Sequence, residues 1–189
     1  PFIAQNKLEA LEKAINRIIP DADSRMNYRL SETDQFEQLA EDSQSGQLVY
    51  TVYNKQKNLL GFVIKAQGRG YQDTIELIYA YQPGKQIITG LVILANRETP
   101  GLGAKIVDDP DFHGNFKQLD VQLNSDKSSL LHAVEVIKPG SVKQAWQIDA
   151  ITGATISAKA VAKIIHKSAS KMLPIINQNM QDFNHGSKR

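Results

Sequence analysis

Two threonines, a glycine and an alanine stand directly before a long amphipathic segment, and this junction is where the chain could hold an anion. The four residues are Thr152, Gly153, Ala154 and Thr155. Free backbone N–H groups and the positive end of the macrodipole at a helix start stabilise a phosphate without a dedicated basic side chain. Small residues let a bulky ligand approach, and the threonine hydroxyls could bond the phosphate or carry it covalently. The simpler alternative is that Thr152 only caps the helix.

A second glycine-containing run follows an apolar, strand-like stretch at residues 91–95. Residues 98–103 read Glu-Thr-Pro-Gly-Leu-Gly. Pro100 and Gly101 suit the two central positions of a type II turn, because proline presets one φ angle and glycine tolerates the positive φ that follows. The chain therefore turns sharply after a strand and leaves backbone N–H groups uncovered. A plain strand-to-helix turn is the simpler interpretation of this run by itself.

Both runs occur in the expected order for one known family. The stretch from Asp149 to Val161 resembles the flavinylation motif of the FMN-binding domain found in the G subunit of Rnf-type electron-transport complexes. A similar motif occurs in the C subunit of sodium-translocating NADH:quinone oxidoreductase. Residues 98–103 look like the E-T-P-G-L-G element of the same family. The resemblance covers roughly residues 48–175 and implies that the FMN phosphate is esterified to Thr155.

The resemblance assigns the rest of a flavin site to the residues around these two runs. Thr152, Gly153 and Ala154 would surround the phosphate. The isoalloxazine ring has carbonyl and nitrogen acceptors that need N–H donors. It would lie against the turn formed by Glu98, Thr99, Pro100, Gly101, Leu102 and Gly103. No catalytic residue is expected, because a tethered flavin that relays electrons needs no substrate site.

Asp149 has two interpretations that can both hold. In this family a flavin transferase installs the FMN, using FAD and a divalent metal ion, and it would recognise Asp149. The residue is also a negative charge favourably placed near a helix start. Lysines repeat every four residues further along, at Lys159, Lys163, Lys167 and Lys171. They are interpreted as a solvated helix face, with Lys159, one turn from Thr155, as a further candidate phosphate contact.

A third run, Gly68–Tyr71, resembles the glycine-tyrosine turn before the central hairpin of the family. The family pattern has another glycine after the tyrosine, whereas this chain has Gln72 and Asp73. Glycine-rich turns between strands are common, so these residues are interpreted as structural.

Composition excludes several other kinds of site. The chain has 189 residues with 22 basic and 20 acidic side chains interspersed, which argues against nucleic acid as a partner. It has no cysteine, so thiolate chemistry, disulfides and cysteine-bound iron–sulfur clusters are excluded. Its histidines, His113, His132, His166 and His185, have no metal-site spacing and are interpreted as structural or surface residues. Rossmann, P-loop and Gly-x-Ser-x-Gly patterns are absent.

The resemblance implies an electron-carrier subunit of a membrane-bound, ion-translocating oxidoreductase rather than a self-contained enzyme. Its partners would be other subunits of that complex and, during maturation, the flavin transferase. Members of this family usually carry one N-terminal membrane helix, which this chain lacks. We therefore expect a soluble domain on the extracytoplasmic face of a bacterial or archaeal membrane. The alternatives are a non-redox extracytoplasmic binding or assembly module, and a flavoprotein of the same domain family in another pathway.

The hydrophobic pattern predicts an α+β fold with one core, in which consecutive hairpins form an antiparallel sheet and helices pack on it. Residues 1–47 are predicted to form an N-terminal helical segment on the membrane-proximal side. Residues 48–175 would form the FMN-binding domain, and residues 176–189 a polar tail that frays.

Individual elements follow from periodicity and turn residues. The predicted helices cover roughly residues 5–19, a short stretch capped at 31–34 and ending near 46, residues 104–107 ended by Pro110, and the segment after Thr155 with Ile156 on its core face. The predicted strands are 48–53, 59–65, 73–81, 86–95, 118–123 and 130–137. Phe112 and Phe116 are predicted core residues, and the N-terminal helix either packs on the core or points toward a membrane.

Overall fold

An antiparallel sheet of seven strands forms the centre of the computed structural model, which describes residues 2–43, 45–95 and 104–187. The sheet consists of β1 (Ser24–Leu30), β2 (Phe36–Leu39), β3 (Leu48–Tyr53), β4 (Leu59–Arg69), β5 (Thr74–Gln82), β6 (Ile87–Ala95) and β7 (Leu119–Asp120). Its spatial order is β2-β1-β3-β4-β5-β6-β7. A separate parallel pair consists of β8 (Glu135–Ile137) and β9 (Gln147–Asp149). The helices are α1 (Phe2–Ile18), α2 (Lys105–Asp108), α3 (Pro110–Gly114) and α4 (Thr155–Gln178), followed by a 3₁₀ helix over Met180–Ser187.

The two central hairpins form where the sequence predicts them. β3 and β4 are joined by a turn in which the Asn54 side-chain oxygen accepts hydrogen bonds from the amides of Gln56 and Asn58, both at 3.0 Å. β5 and β6 pair from Glu76 with Ala95 to Gln82 with Ile87. Asparagine closes such turns because its side chain bonds the backbone two to four residues on. The predicted α+β architecture is therefore confirmed.

Helix α1 covers one face of the sheet. It buries Leu11, Ala14 and Ile15 against a cluster of apolar residues from β3 to β6. A Cβ atom on Gly90 would lie 2.7 Å from Ile18 Cβ, so only glycine in β6 lets the helix come this close. Of the two predicted placements, α1 takes the one on the core. No helix in the described part of the chain is long and apolar enough to span a bilayer.

Helix α4 covers the opposite face and runs antiparallel to β4. A Cβ on Gly68, near the end of β4, would lie 2.6 Å from Ile164 Cγ1, which supports the structural interpretation of this glycine. Further down, the Tyr79 hydroxyl lies 2.7 Å from Ser168 Oγ. Tyr79 pairs with Ile64 of β4, so α4 passes the C-terminal end of β4 first and its middle afterwards. The start of α4 therefore lies on the side of the sheet where the C-terminal ends of β4 and β6 are found.

Four local predictions are wrong or incomplete. Residues 31–46 do not form a helix: Ser31 Oγ accepts from the Gln35 amide at 3.1 Å and closes a hairpin between β1 and β2. Serine and aspartate occur in turns as well as at helix starts.

Pro110 begins α3, where the Asp109 side chain accepts from the Phe112 amide, rather than only ending α2. The strands predicted at 118–123 and 130–137 shrink to β7 and β8, and Ile156 is 60% exposed.

The predicted division of the chain also differs from the structure. β1 and β2 belong to the same sheet as β3, so the segment before residue 48 contributes two strands as well as α1. The segment predicted to fray instead continues α4 to Gln178 and then forms the 3₁₀ helix. Phe183 is buried there, because it fills a space between aromatic rings of the sheet. Phe112 and Phe116 are buried, as predicted.

Candidate functional site

The T-G-A-T run lies where β9 leads into α4. Thr155 is the first residue of α4 and is exposed. Ala154 is the N-cap and makes no side-chain capping hydrogen bond, so the alternative in which Thr152 caps the helix is wrong. Gly153 has a φ of +81°, a conformation that favours glycine. The Ala158 amide bonds the Ala154 carbonyl at 3.0 Å, and the first amides of a helix have no acceptor within it.

A lysine lies against this turn. Lys105 Nζ donates to the Thr152 carbonyl oxygen at 3.3 Å. The same ammonium lies 3.9 Å from the point that a Cβ on Gly153 would occupy. The expectation that the junction holds an anion without a dedicated basic side chain is therefore incomplete. Sequence reasoning missed this residue, although it stands only two positions after the Glu-Thr-Pro-Gly-Leu-Gly run.

A cavity of about 480 Å³ opens between the α2–α3 segment and the strand-to-helix junction. Its lining includes Lys105, Asp109, Phe112, Gly140, Asp149 and Thr152. This volume lies in the range of ordinary cofactor sites, roughly 300–1,000 Å³. A groove of about 520 Å³ runs along α4 beside β4 and is lined by Ile164, Lys167 and Met172 among others. It includes no residue of T-G-A-T, so the smaller cavity is the better candidate for a ligand attached there.

A buried asparagine fixes the strand that leads into T-G-A-T. Asn115 Oδ1 accepts hydrogen bonds from the Asp149 amide at 3.1 Å and from Lys143 Nζ at 2.8 Å. Its Nδ2 donates to the Phe112 carbonyl at 3.0 Å. Both polar atoms of the carboxamide are thus bonded, which a residue only 8% exposed requires. Asn115 thereby joins α3, β9 and the exposed loop that carries Lys143.

Asp149 forms an ion pair with Lys143, and its two predicted roles, at the helix start and in recognition by a transferase, stay predictions. Its Oδ2 lies 2.9 Å from Lys143 Nζ, and the two side chains are 36% and 37% exposed. An ion pair this open to solvent contributes at most about 1 kcal/mol. The pair therefore positions the carboxylate more than it stabilises the fold. Neither Asn115 nor Lys143 carries a signal in the sequence, because their contacts join positions 28 and 34 residues apart.

The remaining predicted site residues have different outcomes. Lys159, Lys163, Lys167 and Lys171 are all exposed, which confirms the solvated helix face. Contact of Lys159 with a phosphate stays a prediction. Glu98, Thr99, Pro100, Gly101, Leu102 and Gly103 lie outside the described residues, so their contacts with a flavin ring also stay predictions.

Three histidines, His113, His132 and His166, make contacts between elements of the fold. His113 has Nε2 at 2.8 Å from the Ile106 carbonyl and Nδ1 at 3.2 Å from the Leu91 carbonyl. It thus ties β6 to α2, on either side of the Glu-Thr-Pro-Gly-Leu-Gly run. His132 stacks on Trp146 with ring centroids 3.6 Å apart, and His166 Nδ1 accepts from the Val134 amide. These contacts are structural, as predicted. Over residues 2–43, 45–95 and 104–187 no group of side chains could hold a metal ion.

Comparison with known proteins identifies the family. Residues 70–170 match the family model of the FMN-binding domain. The chain belongs to the FMN-binding domain family. The matched FMN-binding domain begins at the β4–β5 turn and ends within α4, so it contains both the cavity and T-G-A-T.

Relatives of this FMN-binding domain are found among membrane complexes. The chain is 32% identical to the G subunit of the ion-translocating oxidoreductase complex of Methanosarcina acetivorans, over 89% of this chain and 79% of that protein. It is 31% identical to the G subunit of the proton-translocating ferredoxin:NAD(+) oxidoreductase complex of Clostridium ljungdahlii, over 78% and 69%. The crystal structure of Shewanella oneidensis NqrC superposes with a TM-score of 0.73 at 18% identity, over 94% of this chain and 99% of that one, which shows a shared fold.

The residues around T-G-A-T suit the phosphate end of FMN. Thr155 is exposed at the first turn of α4, and the Lys105 ammonium contacts the turn that precedes it. Backbone amides, a hydroxyl and an ammonium are the donors that a phosphate accepts from. The donor set therefore fits the anionic part of the cofactor for which the family is named.

Proposed function

We propose that this protein is the electron-carrier G subunit of a membrane-bound, ion-translocating oxidoreductase complex of the Rnf type. FMN joined through its phosphate to Thr155 is the carrier. The observation that carries the proposal is an exposed threonine at the first position of α4, within the matched FMN-binding domain and directly after a turn that an ammonium group contacts. The names of the relatives at 31–32% identity support membership of such a complex.

The junction would hold the cofactor through Thr155, Gly153 and the first turn of α4. Thr155 Oγ forms the phosphoester bond, and its proton leaves to a base or to solvent. If the flavin comes from FAD, the pyrophosphate bond breaks and AMP departs. Gly153 gives the turn its left-handed conformation and leaves room for the ligand, and the first turn of α4 donates backbone N–H groups to the phosphate. The bound flavin supplies electron transfer.

A covalent tether suits a relay between neighbouring proteins. A carrier that accepts electrons from one subunit and gives them to another need not exchange with a free pool, so attachment costs it nothing in turnover. The Asn115–Lys143–Asp149 contacts hold the strand before the attachment point, which keeps the tether in a defined place. We place the domain on the extracytoplasmic face, with a flavin transferase as its partner in maturation. Both statements follow from the family resemblance.

The test is the mass of the denatured chain after co-expression with a flavin transferase. We expect a gain equal to FMN less one water, mapped by peptide sequencing to Thr155. Thr155→Ala should lose the gain completely, whereas the matched variant Thr152→Ala should keep it, because Thr152 only lines the cavity. Thr155→Ser, which restores a hydroxyl, should recover part of it. An unmodified wild-type chain beside a transferase that modifies a known substrate would favour the non-redox binding module instead.

A further inference from the structure

We propose that Lys105 is a second anchor for the flavin: its ammonium pairs with the negative charge that remains on the phosphodiester at Thr155. This inference rests on the proposed function and adds a residue to the same site. Backbone N–H groups at the start of α4 would then bind the phosphate together with a charged side chain from α2.

The position of Lys105 is set by well-packed neighbours. The next residue, Ile106, is fully buried, and its carbonyl lies 2.8 Å from His113 Nε2. The backbone directly after Lys105 is therefore held by a buried side chain and by a contact with His113. From this fixed base the side chain reaches the Thr152–Gly153 turn, where Nζ lies 3.3 Å from the Thr152 oxygen. A long side chain loses conformational entropy when it is held in this way, and a single long hydrogen bond to a neutral carbonyl offsets little of that loss.

The ammonium has unused capacity at this place. It carries three N–H donors, of which the Thr152 carbonyl takes one among the residues that the structure describes. Of the three acidic residues in the described part of the chain that line the cavity, Asp109, Asp111 and Asp149, two have other partners. Asp109 Oδ1 accepts from the Phe112 amide at 2.9 Å, and Asp149 Oδ2 pairs with Lys143 at 2.9 Å. An anion delivered to the start of α4 would therefore find a cation that these two carboxylates have not neutralised.

The charges match one to one. A phosphate esterified on two sides keeps one negative charge, and one ammonium neutralises it. Charge-assisted hydrogen bonds of this kind are roughly twice as strong as neutral ones. Lys163 is the natural comparison, because it is a lysine of the same domain, two turns from Thr155, that has no assigned part in the site. It is exposed on α4, so it serves as the control for simple loss of a positive charge.

A purely structural role makes a different prediction. If Lys105 only holds the turn through the Thr152 carbonyl, its removal weakens the apoprotein and the flavinylated protein equally. If it pairs with the phosphodiester, removal weakens the flavinylated protein more. The difference between the two forms thus separates the two roles, whatever the absolute stability of each.

The experiment uses the full chain with Lys105→Gln, Lys105→Arg and Lys163→Gln, each expressed with and without a flavin transferase. Mass spectrometry gives the flavinylated fraction, urea unfolding gives the stability of each form, and ³¹P NMR reports the surroundings of the phosphodiester. We expect Lys105→Gln to lower the folding equilibrium constant of the flavinylated form about three- to fivefold more than that of the apoprotein. The ³¹P resonance should shift. Lys163→Gln should change neither the stability difference nor the ³¹P resonance, and Lys105→Arg should stay close to wild type in both.

The remaining outcomes are equally decisive. If Lys105→Gln folds but takes up no flavin while Lys105→Arg does, the positive charge is needed for attachment, which supports the anchor. An unmoved ³¹P resonance with equal destabilisation of both forms would overturn it, as would loss of uptake in both the Gln and the Arg variants with folded apoproteins. Failure of the wild-type chain to acquire FMN at Thr155 would overturn the proposed function itself, and only that result would do so.

Discussion

The two ends of α4 are built in opposite ways. At the N-terminal end Ala154 caps the helix without a side-chain bond, and Thr155 and Ile156 are exposed. At the other end Asn179 donates through Nδ2 to the Ile175 carbonyl at 2.8 Å and through its backbone amide to the same oxygen at 3.1 Å. At the first end the N–H groups of the opening turn have no acceptor within the helix, whereas at the second end Asn179 donates to the carbonyls of Ile175 and Ile176. We call the end at residues 154–156 the open end of α4. The end at Asn179, together with the 3₁₀ helix that follows it, is called the closed end.

One aromatic side chain packs the closed end onto the sheet. Phe183 lies with its ring centroid 5.0 Å from each of the rings of Tyr28, Phe36 and Phe62. These rings belong to β1, the start of β2 and β4, so the 3₁₀ helix covers the part of the sheet that α4 does not reach. Aromatic pairs at this spacing contribute beyond their buried area. The comparison predicts that stability and flavin attachment respond to different ends of the helix.

Phe183→Ala tests the closed end and should have the largest effect on stability. Removing a buried phenylalanine costs about 3–5 kcal/mol of unfolding free energy, which urea denaturation measures. The flavinylated fraction of the folded protein should stay at the wild-type level. Thr155→Ala is the reciprocal control, because an exposed substitution should change stability by less than about 0.5 kcal/mol. Loss of attachment in Phe183→Ala under native conditions would mean that the two ends are coupled.

Gly153→Ala tests the open end with an intermediate effect. The φ of +81° costs a residue with a Cβ about 1–2 kcal/mol, although there is room for the methyl group. The turn should relax away from this conformation, so the rate of flavin attachment should fall together with stability. Gly84→Ala is the matched control, since a Cβ there meets no atom within 4 Å. Unchanged attachment in Gly153→Ala would show that the turn conformation does not position Thr155.

Tyr50→Phe should have a smaller effect, of opposite sign. The Tyr50 hydroxyl is buried under α1 and has no hydrogen-bond partner among the described residues. Removing an unsatisfied buried hydroxyl should raise the unfolding free energy by up to about 1 kcal/mol. Tyr79→Phe, which removes a hydroxyl bonded to Ser168, should lower it by a similar amount. Destabilisation by both variants would show that the Tyr50 hydroxyl has a partner in solution.

The same tyrosine gives the smallest prediction, a dependence on alkaline pH. Burial raises the pKa of Tyr50 to about 12, whereas an unfolded tyrosine titrates near 10. The folded state holds its proton more tightly between these values, so its contribution to stability is complete below about pH 10 and is lost as pH rises toward 12. The slope of unfolding free energy against pH in this window should be shallower in Tyr50→Phe. An equal slope would assign the effect to other groups.

Local pattern predicted the elements that local pattern controls. The hairpins β3–β4 and β5–β6 follow from β-branched runs separated by polar turns, and α4 follows from its apolar spacing. The T-G-A-T turn is recognisable through its resemblance to the flavinylation motif of the family, because the four residues by themselves favour an ordinary helix cap. The helix prediction that failed concerned residues that suit two kinds of local structure. Ser31 and Asp34 suit a helix start and a hairpin turn alike, and pairing with β1 decides between them.

The supporting residues of the site could not be predicted in this way. Asn115 and Lys143 act on Asp149 across 34 and 6 positions, and Lys105 reaches Thr152 across 47. None of them lies in a periodic or motif position that marks it. Phe183 looked like part of a polar tail because one aromatic residue does not make a periodic pattern. Only the assembled sheet shows the space that it fills.

The sheet also determines how copies of the molecule behave toward one another. It ends at β2, with four residues, and at β7, with two. Unpaired N–H and C=O groups on an edge strand are a template for aggregation, and very short edges offer few of them. β7 pairs with β6 only at Ile87 and Ile88, so β6 extends beyond its short partner. His113 Nδ1 lies 3.2 Å from the Leu91 carbonyl oxygen on that strand. The histidine that ties β6 to α2 thus also occupies a backbone acceptor at which a second copy of the molecule could otherwise pair.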